Sequence, residues 1–182
     1  KVDKLTEGQA STCLLAKDLI NNDEELMIGA CDNGMIWDKG KFEELKKEAD
    51  CLVWTFRNNV AVKKKPQAYG WVVVSDKNNI LKTSVKIPIS ENPIKDHAII
   101  GAFWFKKGKI FVEATENIIR KNIRVNNEFY VDSVINEVVE TGYRVKVFEV
   151  EKYICWGTPE DLKKFQYWED FFKKYDANLN RK

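Results

Sequence analysis

The chain has 182 residues, with 30 basic and 28 acidic side chains and 44% hydrophobic residues. That length and balance provide for one packed domain and exclude a disordered chain. A net charge of +2 gives no long-range pull toward nucleic acid or an anionic membrane, and no apolar run reaches the ~20 residues of a membrane span.

In chain order, residues 9–21 read as a helix with Leu15, Leu19 and Ile20 on one face. The apolar run Leu26–Ala30 then reads as a central parallel strand, buried on both faces, with Asp32 at its carboxyl end. A charged helix over Lys41–Ala49 and a second buried strand, Cys51–Phe56, follow. The segment from Asn58 to Ala68, with Lys63, Lys64 and Lys65, reads as a solvated basic loop. Tyr69–Val74 and Ile80–Lys86 flank Ser75-Asp76-Lys77-Asn78-Asn79 and predict a β-hairpin. Ala98–Phe105 is another strand, preceded by His97.

Two helices are expected over about 109–121 and 127–140, the second closed by Gly142 in a left-handed cap. Tyr143–Val150 alternates as a strand. Thr158-Pro159-Glu160-Asp161 has the chemistry of a helix start: an N-cap hydroxyl, Pro in the first turn, then two acids. Beyond it Leu162, Phe165, Trp168, Phe172 and Tyr175 recur at helical spacing and predict an apolar stripe docked on the domain. Strands alternating with helices give an α/β class, read as one domain over 1–175 with a polar tail over 176–182.

A single histidine leaves little room for Ser-His-Asp relays or zinc hydrolysis, and His97 reads as structural. Cys13, Cys31, Cys51 and Cys155 form no C-x-x-C pair and read as buried thiols of a reducing cytoplasm. In an open α/β sheet, ligands sit beyond the carboxyl ends of strands. An Asp placed there suits Mg²⁺ facing a phosphate, since a hard cation prefers oxygen ligands; on the residues alone a turn or cap role for Asp32 is the commoner one.

Several short motifs occur in a fixed order: Thr6-Glu7-Gly8-Gln9-Ala10-Ser11-Thr12, the strand leading to Asp32, Tyr69-Gly70-Trp71-Val72, Val85-Lys86-Ile87-Pro88, Gly101-Ala102-Phe103-Trp104-Phe105, Asn127-Glu128-Phe129-Tyr130-Val131-Asp132, and Gly157-Thr158-Pro159-Glu160-Asp161-Leu162. Together, over about residues 6–172, they resemble the sugar-1-phosphate nucleotidyltransferases, the family of glucose-1-phosphate thymidylyltransferase and mannose-1-phosphate guanylyltransferase.

The resemblance implies a three-layer α/β/α, Rossmann-like nucleotide-diphospho-sugar transferase fold with a mixed, mostly parallel sheet. It implies a soluble cytoplasmic enzyme of polysaccharide precursor synthesis that uses Mg²⁺, a nucleoside triphosphate and a sugar 1-phosphate, without nucleic acid or membrane insertion. By position, it gives Gly8 and Gln9 to the nucleobase and Asp32 to the metal. Gly70 and Tyr153 go to the sugar, and Lys86 goes to the sugar phosphate. Glu128 and Asp132 read instead as the polar face of a helix. The sugar-phosphate oxygen is already anionic at neutral pH, so the reaction needs alignment and charge neutralisation, not a general base.

Three departures stand out. Cys155 occupies the place where many relatives carry a second metal-binding Asp, so either Asp32 works with water and phosphate alone or another acid such as Asp161 or Glu151 substitutes. Val85 occupies the place of a sugar-binding Glu. The strand and glycine-rich, Arg- and Lys-bearing loop with which relatives begin has no counterpart, so the expectation is a chain truncated at the amino end, inactive alone, with an exposed sheet edge open to self-association. The alternatives are a glycosyltransferase of the GT-A class, for which Asp32-Asn33-Gly34 lacks the second Asp, and a non-catalytic domain that binds a sugar phosphate or a partner.

Overall fold

The computed structural model describes residues 2–179, with side chains as far as Tyr175. Residues 180–182 of the expected tail lie outside the described residues, while 176–179 continue the last helix.

Six strands form the central sheet: β1 (Leu26–Gly29), β3 (Cys51–Phe56), β4 (Gly70–Val74), β5 (Ile80–Val85), β6 (His97–Phe105) and β7 (Val145–Glu149). Their order is β5-β4-β6-β3-β7, with β1 also on β6. The strands β1, β3, β4 and β7 run one way, and β5 and β6 run against them. The majority direction is thus shared, as expected, yet β6 stands in the middle, so only β3 and β7 are paired in parallel. A second small sheet pairs β2 (Asn33–Ile36) with β8 (Lys152–Cys155).

Alternation along β3 and β6 divides the core in two. Cys51, Val53, Ile99, Phe103 and Phe105 face α5 (Gly108–Arg120) and α6 (Val131–Glu140). Leu52, Trp54, Phe56, Ile100 and Trp104 face α3 (Lys39–Glu48) and the short α4 (Ala61–Lys64). Residues on β3 are buried at every position because both faces are covered. The expected cap of α6 is present: Gly142 has φ 88, and its N–H and that of Tyr143 close onto Val139 and Val138.

Four expectations are corrected. The helix over 9–21 is two pieces, α1 (Gln9–Leu14) and α2 (Lys17–Ile20). The restart turns Leu15 and Leu19 to solvent, while Cys13, Leu14 and Ile20 reach the core. β1 is not a central buried strand. It pairs only with β6 among the described residues, its burial alternates, and Met27 is 50% exposed. Cys31, just past it, is exposed for the same reason, whereas Cys51 is buried as expected. Finally, α7 (Pro159–Leu179) starts where the sequence indicated, with the Thr158 hydroxyl accepting from the Asp161 N–H and donating to its carboxylate. Its stripe does not dock. Phe165 meets Trp156, but Trp168, Phe171, Phe172 and Tyr175 are exposed and meet chiefly one another.

Candidate functional site

β1 and β4 lie end to end along one edge of β6. β1 pairs with Ala102 to Phe105 and β4 with His97 and Ala98, while β3 covers the opposite edge. Ile99, Ile100 and Gly101 therefore face a break in the ladder. The Ala30 N–H reaches the Gly101 carbonyl, and the Asn33 side chain donates to the Ile100 carbonyl at 3.0 Å. Asn33 thus supplies with an amide what a strand would supply with backbone. Its own Oδ1 is buried with no partner among the described residues.

On the β1 side of this break, a cavity of about 400 Å³ is lined by Gln9, Cys13, Ile28, Asp32, Gly101 and Val131, among others. Gln9 and Asp32, roughly 75–80 Å apart in an extended chain, thus face one space. Gly8 sets the start of α1 against the Phe129 backbone, with φ 111 and a Cβ position only 2.8 Å from the Phe129 N and O. No L side chain fits there. The structure gives Gly8 this packing role, and Gln9 is the residue that reaches the cavity. Asp32 is exposed, and its main-chain carbonyl accepts from the Trp156 N–H.

On the β4 side stand Gly70 and Lys86. Gly70 pairs with Val85, and the Lys86 N–H donates to the Tyr69 carbonyl, which ties the two residues across the hairpin mouth. Lys86 has φ 63, a left-handed conformation that costs a non-glycine residue about 1 kcal/mol or more. Its ammonium donates to the Ala68 carbonyl at 2.6 Å and lies 5.6 Å from the Tyr130 ring centre.

A Cβ on Gly70 would fall within the Asp132 carboxylate. Glycine is needed here for an acid of this chain. Asp132 is 9% exposed. Burial drives its carboxyl up to about 6, partly countered by the nearby Lys86 charge and its own N–H. A polar-helix-face reading of Asp132 is therefore wrong. The available signal was its spacing from Asn136: four apart, both meet β5. The Thr83 hydroxyl donates to the Asp132 carbonyl at 2.7 Å, and Asn136 bonds the Thr83 N–H and carbonyl. Glu128 is exposed.

The two halves meet at the start of α6. Val131 lines the Asp32 cavity, while its neighbours Tyr130 and Asp132 belong to the Lys86 side. Lys86, Gly70 and Tyr153 do not line the Asp32 cavity itself. Tyr153 stacks on Phe56 at 4.2 Å, and burial, then its hydrogen bond with Cys155, pushes its hydroxyl well up. Cys155 donates toward Asp161 at 3.7 Å. Asp161 also serves the α7 cap, and Glu151 is exposed. Among the described residues no cluster of three His, Cys, Asp or Glu side chains is arranged to hold a metal. His97 is structural, as expected: it is buried, exchanges a hydrogen bond with Thr55 at 2.9 Å, and is held neutral to lower pH by that burial. Lys63, Lys64 and Lys65 are solvated.

The three layers and the split ladder define a mixed α/β fold, and solved structures share it. A nucleoside-diphosphate-sugar pyrophosphorylase from Vibrio cholerae RC9 superposes with a TM-score of 0.71 at 17% identity, over 90% of this chain and 66% of its own. A glucose-1-phosphate thymidylyltransferase from Bacillus anthracis, solved with sucrose, gives 0.65 at 16%, over 90% and 61%. The inositol-1-phosphate CTP transferase of T. maritima gives 0.59 at 17%, over 85% and 58%. The chain thus spans roughly three fifths to two thirds of the length of these structures. No protein-family model and no curated protein matches it. Among the described residues no helix is long and apolar enough to cross a membrane.

Proposed function

We propose that this chain is the sugar-phosphate-binding part of a sugar-1-phosphate nucleotidyltransferase, an enzyme of nucleotide-sugar synthesis that releases pyrophosphate. The observation that carries this reading is the split ladder. One strand edge ends at a cavity holding Gln9 and Asp32, the next begins at Gly70 and Lys86, and the start of α6 touches both. The likeness to three nucleotidyltransferase structures supports it. A nucleoside triphosphate on the Gln9 side and a sugar 1-phosphate on the Lys86 side would have their phosphates converge over Ile99 to Gly101.

In this reading Gln9 contacts the base, Lys86 neutralises the sugar phosphate, and Gly70 and Tyr153 border the sugar. Asp32 is an exposed hard-oxygen donor without an acidic neighbour set, which fits Mg²⁺ held by one carboxylate, water and substrate phosphates. Bound there, the ion would supply charge neutralisation. Cys155 is a poor ligand for it. The protein's own contribution is alignment of an already anionic nucleophile. The soluble cytoplasmic setting and the role in cell-surface polysaccharide precursors belong to the same reading.

Pyrophosphate release from a nucleoside triphosphate, a sugar 1-phosphate and Mg²⁺ tests the activity in the full-length protein. Asp32→Ala and Lys86→Ala are each expected to lower turnover by about a hundredfold or more. Turnover unchanged by Asp32→Ala would remove the metal assignment. Absence of turnover together with intact sugar-phosphate binding would favour the non-catalytic alternative.

A further inference from the structure

We infer that the chain carries a second anion site, separate from the Asp32 cavity, in which Lys41, Lys77 and His97 hold a small dianion of the phosphate class at the tip of the β4–β5 hairpin. The inference goes beyond the nucleotidyltransferase reading and uses none of its residues.

The place is a corner of the fold that the hairpin closes. The hairpin tip reaches the free edge of β7, where the Val147 N–H donates to the Asn78 carbonyl at 3.2 Å and Asn79 bridges to Lys146. Beside this clasp lies a cavity of about 290 Å³. Lys41 of α3, Lys77 and Asn78 of the tip, His97 of β6, and Lys146 and Glu149 of β7 line it, among others. It shares no lining residue with the Asp32 cavity.

The charges of its walls do not cancel. Glu149 is held by both arms of Arg57 at 3.0 and 2.6 Å, Glu44 pairs with Lys47 at 2.7 Å, and Lys146 pairs with Glu48. Each acid of the walls therefore already has a cation. Lys41 and Lys77 have no carboxylate within 4.0 Å among the described residues. The Lys41 ammonium reaches the Glu149 carbonyl at 3.3 Å and the Phe148 ring. Two ammonium charges are thus left over. His97 lines the same cavity while only 5% exposed. Its Nδ1 is engaged with Thr55, and its Nε2 has no hydrogen-bond partner among the described residues. Burial, then the Arg57 charge, keeps the ring neutral to lower pH, with Glu149 and Asp96 opposing and Lys41 adding to it.

A bound dianion answers both features. It neutralises Lys41 and Lys77, and it favours the imidazolium, whose Nε2–H is then a donor. A phosphate-type anion carries both charges on one small body. The cavity has about ten times the ~30 Å³ share of a water molecule, so a phosphate bearing a small organic group fits as well as the free ion. Those two sources share the chemistry.

The test uses the protein's only histidine as its reporter. The His97 ring protons are followed by NMR as sodium sulfate, inorganic phosphate or glycerol 3-phosphate is added, with sodium chloride of matched ionic strength as the control for screening. A saturable shift with sulfate and phosphate, absent with chloride, is expected. Sulfate is also expected to raise the pH at which His97 titrates. Lys41→Gln and Lys77→Gln should each weaken binding by about tenfold, the scale of one charge-assisted hydrogen bond. Lys63→Gln, an equal loss of charge at an exposed position of α4, and Lys86→Ala should leave it unchanged. Tighter binding of glycerol 3-phosphate than of phosphate identifies an ester as the ligand, and weaker binding identifies the free ion. The site is overturned by the lack of a saturable shift, by the same shift with chloride, or by a Lys63→Gln variant that binds as weakly as Lys77→Gln. A shift that only Lys86→Ala abolishes also overturns it, and assigns the anion to the hairpin mouth instead.

Discussion

Trp37, Phe42, Trp54, Trp104 and Phe148 interlock beneath α3 with ring centroids 5.0–6.2 Å apart, mostly edge to face. Trp168, Phe171, Phe172 and Tyr175 on α7 lie at similar spacing, 5.4–6.3 Å, but meet chiefly one another. The first group is buried or half-buried from every side, and the second is about half exposed. Composition and ring spacing are nearly the same, so neither explains the difference. What differs is the surface opposite. The rings under α3 face a sheet, while those of α7 face solvent after a single anchor, Phe165 on Trp156. Aromatic packing stabilises in proportion to area withdrawn from water, and the α7 rings withdraw little.

This contrast breaks if the two groups respond alike to truncation. The largest expected effect is Trp54→Ala, which leaves a cavity between α3 and β3. A loss of about 3–5 kcal/mol in urea unfolding is expected, a large share of a domain's stability.

Next is Asp132, where the packed body holds a polar group instead of a ring. Its carboxyl is raised from 3.8 to about 6 by burial. The folded state therefore binds a proton that the unfolded chain has already released between about pH 4 and 6. Stability is highest below that window and falls as pH rises through it. Asp132→Asn removes the falling step and is expected to raise stability at pH 7 by about 2–3 kcal/mol.

Thr158→Ala removes the α7 cap, worth about 1 kcal/mol to the helix. Since α7 touches the body mainly at its start, faster hydrogen exchange in its first turns is expected, with the global urea midpoint nearly unchanged. The smallest effect belongs to Trp168→Ser with Phe172→Ser: less than about 0.5 kcal/mol, as for surface positions. A loss of several kcal/mol there would mean the helix is covered in solution.

The same contrast explains what the sequence conveyed. Cys51–Phe56 was legible to the residue because a mostly apolar, β-branched and aromatic run between turns suits a strand covered on both faces. The hairpin, the Gly142 cap and the Thr158 start were legible because each rests on local backbone chemistry. The α7 stripe was legible as a stripe, but periodicity reports one face of a helix and says nothing of what lies opposite. β1 was misread for a related reason: apolar content does not state how many neighbours a strand has. The β2–β8 pair was missed because four-residue strands more than a hundred positions apart carry no local pattern. At the candidate site, Asp32, Gly70 and Lys86 were singled out by motif order. Asp132 was passed over because an acid in a first helical turn is ordinarily a surface residue, and only the contact with Gly70 turns it inward.

The exposed helix also provides an optical handle. Of the six tryptophans, Trp168 alone is exposed; Trp54, Trp71 and Trp104 are buried, and Trp37 and Trp156 are half-buried. Emission from the wild type should therefore combine a blue, shielded component with a red, water-relaxed one, and iodide should extinguish only the latter. Any molecule that settles on α7 around Trp168 is expected to shift that red component.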